Sequence, residues 1–337
     1  AVFCREPRVL PRLGLMLRLR SLTAALLLCS SAAHSIRWEP GSEDRRTNKW
    51  DLMVTDPITT DSCNMTAKGL FVLQSFTLMN MTRAQFDGAG RKQQIDAGVA
   101  DQNIMFLNQV TYGVTERWEI DAIPLPIVIN ENSREIDGPR VGLGDASAWS
   151  RYLLYEQKHE AKYIPSLLLF TMVKVPTGIV DVSDRTGRRT FGNLMTEVHA
   201  GPNIMWEFRP VVINLNFWYS ANFGRFFHAQ SGHIYDNPGD IFEMNASVEW
   251  VVRDYEFDSS VLFAEINQVY HSRYSLRGIT ADQPLVYRLQ ATVGFAEFID
   301  RNTFLIVSLS ATLYGLNTYQ DWGPYLSAGR TFHFWRE

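Results

Sequence analysis

Ionisable and amide side chains occur at every second position in several strand-like stretches of the sequence. The clearest examples are Arg117, Glu119 and Asp121 in one stretch, and Asn214 with Asn216 in another. Because side chains in a β-strand point alternately to opposite faces, each set shares one face of its strand. If such a face lined an enclosed space, its acidic and basic side chains together could form an aqueous path, or they could form ion pairs that partly close it. The full set of candidates for lining such a lumen is Arg117, Glu119, Asp121, Arg151, Lys174, Asn214, Asn216, Glu243, Glu249 and Arg288.

Motifs for catalysis or tight metal binding are missing from the sequence. It contains no Ser-His-Asp arrangement, no His-Glu-x-x-His motif and no cysteine pair with ligand spacing. His228, His233 and Asp236 could form a metal trio, but a solvated loop is the better interpretation. We therefore predict no metal, no cofactor and no enzyme activity. A hydrolase whose Ser and His come from separate strands stays open as an alternative.

The opposite faces of the same stretches are apolar. In 210–221, Val211, Ile213, Leu215, Phe217 and Tyr219 share the face opposite the two asparagines. In a soluble sandwich such a face would meet a protein core, and the polar face would meet bulk water. In an outer-membrane barrel the apolar face meets lipid and the polar face meets an enclosed lumen. The alternation alone does not choose between these environments.

The length and spacing of the strand-like segments favour the membrane environment. Strands of soluble proteins typically have about 5–6 residues, whereas a tilted strand that crosses a bilayer needs about 9–11. Long polar connections alternate with short ones along the chain, as in barrels with short turns at one end and long loops at the other. We predict an all-β fold, a transmembrane antiparallel up-and-down β-barrel over 69–337 with about twelve strands, at 69–79, 103–113, 115–126, 144–156, 164–176, 193–205, 209–221, 240–252, 255–267, 284–298, 303–314 and 323–335.

The N-terminal region has the layout of a secretory signal peptide. Arg18 and Arg20 precede the apolar run LTAALLLC, and small residues follow it at 30–35. The run is much shorter than the about 20 apolar residues that a spanning helix needs. We therefore predict that 1–35 comprises a cleaved signal peptide with upstream residues, and that the protein resides in the bacterial outer membrane.

The segment 36–68 is polar and shows no sustained period, so we expect either a flexible leader or a plug that folds into the lumen. Five Arg and one Glu among residues 1–33 sum to +4, so the formal charge of −4 becomes about −8 after export. An acidic chain of this kind gives no support to nucleic-acid binding, and we predict none.

The last predicted strand carries a pattern typical of outer-membrane assembly signals. In SAGRTFHF, at 327–334, a polar residue is followed by Gly329, Phe332 and Phe334 at the spacing polar-x-Gly-x-x-aromatic-x-aromatic. This pattern predicts recognition by the barrel-assembly machinery. Arg330 falls on the lipid side of the strand, where a charge costs about 2–4 kcal/mol at the bilayer midplane but little near the interface. We therefore expect Arg330 near the membrane boundary.

Three stretches together resemble a known family. TYGVTERWEIDAIPLP at 111–126, GLGDASAWSRYLL at 142–154 and PSLLLFTMVKVPTG at 165–178 are similar to the transporter-like outer-membrane family named for the meta-pathway of phenol degradation. The resemblance extends over roughly 69–334. It implies a channel associated with uptake of aromatic compounds.

These observations predict an outer-membrane channel for passive uptake of small organic, including aromatic, compounds. The alternative is a non-conducting barrel with a structural or adhesive role for its long loops. The predicted partners are outer-membrane lipid, the assembly machinery and the small organic solute.

Overall fold

The computed structural model describes residues 60–95, 101–132, 140–158, 161, 163–178, 196–208, 210–223, 225–229, 232–237, 239–255, 258–272, 275–276, 279–280, 285–300 and 302–333. Nineteen strands occur in these ranges: β1 Leu70–Phe86, β2 Lys92–Gln94, β3 Asp101–Thr115, β4 Trp118–Ile123, β5 Ile127–Asn132, β6 Arg140–Leu143, β7 Ala146–Tyr155, β8 Ser166–Val175, β9 Thr196–Phe208, β10 Val211–Phe223, β11 Arg225–Ala229, β12 Gly232–Asn237, β13 Ile241–Tyr255, β14 Asp258–His271, β15 Ser275–Leu276, β16 Ile279–Thr280, β17 Val286–Asp300, β18 Thr303–Leu316 and β19 Thr318–His333. No helix in the described ranges is long and apolar enough to span a membrane.

The main sheet closes on itself. β1 pairs antiparallel with β3 on one side and with β19 on the other, so the first and last strands meet in a seam. Around the ring the strands follow their order in the chain, apart from β2, β11, β12, β15 and β16, which lie outside the ring. Twelve positions result, because β4 with β5, and β6 with β7, each fill one position in two pieces. The prediction of an antiparallel up-and-down barrel of about twelve strands is confirmed.

The segment 127–143, predicted to be a loop, begins with β5 and ends with β6. β6 precedes β7 across a break at Gly144, and β5 follows β4 after a break at Pro124 and Pro126. Proline cannot donate to a strand ladder, so the hydrogen bonding stops there. The backbone N–H of Gly144 donates to the carbonyl oxygen of Pro126 at 2.7 Å, which joins the two breaks.

Some segments expected to be loops are ordered as strands. β1 continues to Phe86 and β19 begins at Thr318, since Phe86 packs on Tyr314 at 6.0 Å and Thr82 donates to Asp321 at 2.5 Å. β18 and β19 are joined through Asn317 alone, with a φ of 51°. The backbones of β11, β12, β15 and β16 form a separate four-stranded sheet within the polar segments 222–239 and 268–283.

The two faces of the barrel wall have opposite polarity. In β13, Trp250 is 53% exposed whereas its neighbour Glu249 is 1% exposed. In β10, Tyr219 is 52% exposed, whereas Asn214 and Asn216 are fully buried. The apolar face is therefore outside and the polar face is enclosed, as in membrane barrels and opposite to soluble proteins.

Candidate channel lumen

The barrel interior has two groups of charged residues at opposite ends. We call the end with tight turns, such as 116–117 between β3 and β4, the short-connection end. The opposite end, where β8 leads to β9 across 176–195, is the long-connection end. Arg151 and Glu119 lie near the first end, whereas Lys174, Glu243 and Arg288 lie near the second.

At the short-connection end, one guanidinium is surrounded by three carboxylates, which together we call the Arg151 cluster. Arg151 on β7 lies directly opposite Glu119 on β4 and forms an ion pair with it. It also pairs with Asp61, and its Nε lies 3.8 Å from Asp121 Oδ2. Arg151, Glu119 and Asp121 are 4%, 0% and 0% exposed. Removal of the Arg151 charge would therefore leave the carboxylates uncompensated in a buried position.

Residues 60–68, which we call the N-terminal segment, contact the interior of the barrel. Asp61 accepts a hydrogen bond at 2.7 Å from Asn203 Nδ2, and its backbone carbonyl accepts one at 2.9 Å from Asn216 Nδ2. The Thr66 N–H donates to Glu119 at 2.5 Å. Asp61 thus connects this segment to three strands of the wall. The rest of the predicted leader or plug, 36–59, lies outside the described residues, as does 1–35.

Cys63 adds apolar contacts to the same segment. It packs in a buried cluster near the short-connection end, whose other members are Leu153, Leu168, Phe170, Met205 and Val212. A second buried cluster on other strands consists of Val251, Val261, Phe263, Ala296, Ile306 and Tyr325. This end of the interior is therefore filled by apolar side chains as well as by the ion pairs.

Gly113 permits the close approach of the N-terminal segment to the wall. A Cβ at Gly113 would lie 2.1 Å from the carbonyl oxygen of Ala67 and 2.5 Å from that of Thr66. The Gly69 N–H donates to the Gly113 carbonyl at 2.8 Å. The glycine of the YGVT stretch therefore provides room for backbone packing, which only a residue without a side chain allows.

Amide side chains occupy the middle of the wall. Asn214 donates to Ser247 Oγ at 3.0 Å and to Glu249 Oε1 at 2.7 Å. Within the described part of the chain, the Oδ1 atoms of Asn214, Asn216 and Asn267 are buried and accept no hydrogen bond. Buried polar atoms of this kind are normally satisfied by water or a ligand. The middle of the interior is thus suited to hydration.

A cavity of about 380 Å³ lies at the long-connection end. Lys174 Nζ lies 3.3 Å from Glu197 Oε1, and His199 Nε2 lies 3.2 Å from Glu197 Oε2. The lining consists of Met172, Lys174, Glu197, His199, Ile241, Glu243, Val269, His271, Val286, Arg288 and Thr318. Three of the predicted lumen residues, Lys174, Glu243 and Arg288, therefore meet in one space.

Arg117 does not join either group, because its side chain is exposed in the turn between β3 and β4. Sequence reasoning also missed several inward residues. Asp61 was hidden in a segment without periodicity. Glu197, His199 and Asn203 share one face of the predicted strand 193–205, so the alternation itself could have identified them.

Two residues of the predicted assembly signal lie on opposite faces of β19. Gly329 is buried, and a Cβ there would meet the ring of Phe304 at 2.2 Å. Phe332 contacts Phe71 across the seam, with 6.4 Å between ring centroids. Arg330 shares the outer face with Phe332 and lies 5.9 Å from its ring centroid. Phe334 lies outside the described residues.

Among the described residues, no group of three His, Cys, Asp or Glu side chains is placed to hold a metal. His228 and His233 lie opposite each other in the backbone pairing of β11 with β12, and nothing is described of their side chains.

Comparison with known proteins gives a match in solved structures only. No family model matches the chain, and no curated protein matches it. The COG4313 outer membrane channel from Pseudomonas putida F1 is similar with a TM-score of 0.66 and 14% identity, over 83% of this chain and 100% of that chain. The translocator domain of the autotransporter NalP from Neisseria meningitidis gives a TM-score of 0.47 and 11% identity, over 80% and 91%. The Pseudomonas putida toluene transporter TodX gives 0.40 and 8%, over 79% and 90%.

Of these three similarities, only the first has a TM-score above 0.5. At this level of identity it establishes architecture. The chain therefore has the fold of a bacterial outer-membrane channel barrel.

Proposed function

We propose that the protein is an outer-membrane channel through which small organic compounds, aromatic ones included, pass down their concentration gradients. The observation that carries the proposal is the closed barrel with an apolar exterior and an interior of charged and amide side chains. Such a wall presents lipid-compatible groups outside and hydratable groups inside. The aromatic class rests on the family resemblance of the stretches at 111–126, 142–154 and 165–178, and no enzyme activity is proposed.

The proposed lumen is asymmetric. The cavity at the long-connection end would receive the solute, and the amide-lined middle would follow it. The N-terminal segment and the Arg151 cluster would act as a partial plug that narrows the short-connection end without closing it, supported by the contacts of Asp61 and Thr66. On this proposal Glu119, Asp121 and Arg151 hold the plug, whereas Lys174, Glu243 and Arg288 meet the solute.

The test uses purified mature chain in planar bilayers and in liposomes. We expect single-channel conductance, and faster uptake of benzenesulfonate into proteoliposomes than into empty liposomes. Benzenesulfonate is aromatic and permanently charged, so it crosses a bare bilayer poorly. Absence of both conductance and uptake would sink the channel proposal.

A non-conducting structural or adhesive barrel is the second candidate. The filling of the short-connection end by two apolar clusters and the ion-pair cluster favours it. Neither conductance nor uptake would then appear, even in a variant whose N-terminal segment has been displaced.

A further inference from the structure

Two rows of inward residues run across neighbouring strands at the cavity. The first row, from β8 to β17, consists of Met172, His199, Ser220, Ile241, His271 and Val286. The second, from β10 to β17, consists of Trp218, Glu243, Val269 and Arg288. In the second row Val269 separates Glu243 from Arg288, and in the first row Ile241 separates Ser220 from His271. The wall therefore suits a ligand with a charged group and an apolar body, and about 380 Å³ is within the usual range of about 300–1,000 Å³ for small-molecule sites.

Arg288 differs from the other cation of the cavity in its partners. Lys174 is paired with Glu197, which also contacts His199. Arg288 lines the cavity, and among the described residues no carboxylate forms an ion pair with it. Glu243 lies in the same row, but Val269 separates the two positions, so their backbones are roughly 10 Å apart at two strand spacings. An arginine presented in this way is available to an incoming anion.

We propose that the cavity is a binding site for an aromatic monocarboxylate, the carboxylate held by Arg288 and the ring lying against Met172, Ile241 and Val269. This assignment rests on the proposed channel function and names the solute class that the channel takes up. A guanidinium presents parallel N–H donors that match a carboxylate, which favours Arg288 as the anchor. Lys174 contributes a weaker, longer-range attraction.

The charge of the site selects a monoanion over a dianion. With neutral histidines, Lys174 and Arg288 balance Glu197 and Glu243 among the lining residues. A monocarboxylate adds one negative charge to this neutral set, whereas a phosphate monoester adds close to two and would meet repulsion from both glutamates.

Arg151 shows the contrasting arrangement. Its guanidinium is already shared by Glu119 and Asp61, with Asp121 close by. An incoming carboxylate would have to displace buried ion-pair partners, at a cost that a single new pair would not recover. Of the two charged groups described above, only the one at the long-connection end is therefore suited to bind an anion.

Isothermal titration calorimetry on the purified mature chain in detergent micelles tests this site without requiring conduction. Benzoate is the probe, and benzyl alcohol is its uncharged counterpart. We expect benzoate to bind and benzyl alcohol to bind more weakly. R288Q should weaken benzoate binding by at least about tenfold, because a charge-assisted hydrogen-bond pair is lost. R288K should give an intermediate loss, and R330Q on the outer face is the matched control.

Equal benzoate affinity in wild type and R288Q, or no benzoate binding at all, overturns the site. Folding of each variant is verified by its heat-dependent gel mobility, and R288K serves if R288Q does not fold. If benzoate binds through Arg288 but no solute crosses the membrane, the channel proposal fails and the site stands. If benzenesulfonate enters proteoliposomes but R288Q binds benzoate as wild type does, the channel proposal stands and the site proposal fails.

Discussion

At the scale of single residues, the Arg151 cluster concentrates three carboxylates around one cation in a buried position. The attraction offsets the desolvation of these groups only while the cation is present. The cluster therefore matters less for the net stability of the wild type than for the cost of losing Arg151.

The variant R151Q should lower the free energy of unfolding by about 3–5 kcal/mol, because Glu119, Asp121 and Asp61 would lose the one cation that compensates them in a buried position. Urea unfolding in phospholipid vesicles, followed by tryptophan fluorescence, measures the change. R330Q removes a guanidinium from the outer face and should change the unfolding midpoint little. A midpoint for R151Q equal to that of R330Q would contradict the argument.

Part of this residue-scale pattern follows from the sequence. Alternation identified Glu119, Asp121 and Arg151 as sharing the inner face, because a strand leaves only two directions for a side chain. Alternation could not identify Asp61, which belongs to a segment without period. Arg117 lies exposed in a turn, where the strand has ended and the two-residue repeat stops. Which cations are neutralised and which remain available depends on register between strands, which no single strand encodes.

At the scale of elements, the N-terminal segment lies against β3 at a point where only glycine fits. G113V should displace the segment, since a side chain there would overlap the Ala67 carbonyl oxygen. In the mature chain, whose one cysteine after the predicted cleavage is Cys63, this thiol should then react with a maleimide reagent much faster than in the parent. On the proposed channel function, conductance should also rise.

G88V is the matched control for this displacement, because Gly88 lies in a turn where a Cβ meets only the Asn317 side chain, at 3.3 Å. Slow maleimide labelling of Cys63 in both G113V and G88V would mean that the N-terminal segment does not depend on this close contact.

The β1–β19 seam allows an experiment to distinguish recognition of Phe332 during assembly from its packing in the folded barrel. F332A should reduce the fraction of heat-modifiable, membrane-inserted protein severalfold if Phe332 is recognised during assembly. F71A removes the same ring contact from the other side of the seam, where no signal is predicted. Equal losses in F332A and F71A would assign the effect of Phe332 to packing alone.

The sequence pattern anticipated the number and order of these elements better than their ends. Period and loop asymmetry predicted twelve positions because an apolar outer face must recur on every strand that contacts lipid. The sequence did not indicate that β1 extends to Phe86. The last residues of the strand form polar contacts, such as that of Thr82 with Asp321, and lack the apolar alternation that marks a strand. The joined breaks at Pro126 and Gly144 require knowledge of which strands are neighbours.

At the scale of the whole molecule, the reversed polarity of the wall changes the meaning of an exposed residue. Val293 lies near the middle of β17 and is 59% exposed. In a soluble protein a lysine there would cost little, but a lipid-facing lysine near the bilayer midplane costs about 2–4 kcal/mol. V293K should therefore lower the free energy of unfolding in vesicles by that amount.

Leu285, just before β17 at the long-connection end, is the matched control and is 46% exposed. Near the interface a lysine costs about 0–1 kcal/mol, so L285K should be nearly neutral. Equal effects of V293K and L285K would contradict the membrane depth that the barrel implies.

The β1–β19 seam determines when the barrel can close. Leu70 on β1 pairs with His333 on β19, so β1 cannot complete its hydrogen bonds until β19 has been made. Until that moment both present a row of unpaired N–H and C=O groups, each of which costs several kcal/mol in hydrocarbon. We therefore expect insertion into the membrane to follow synthesis of the whole barrel. A polypeptide that ends before β19 would keep an open sheet edge, which is too costly to insert into the hydrocarbon of a bilayer.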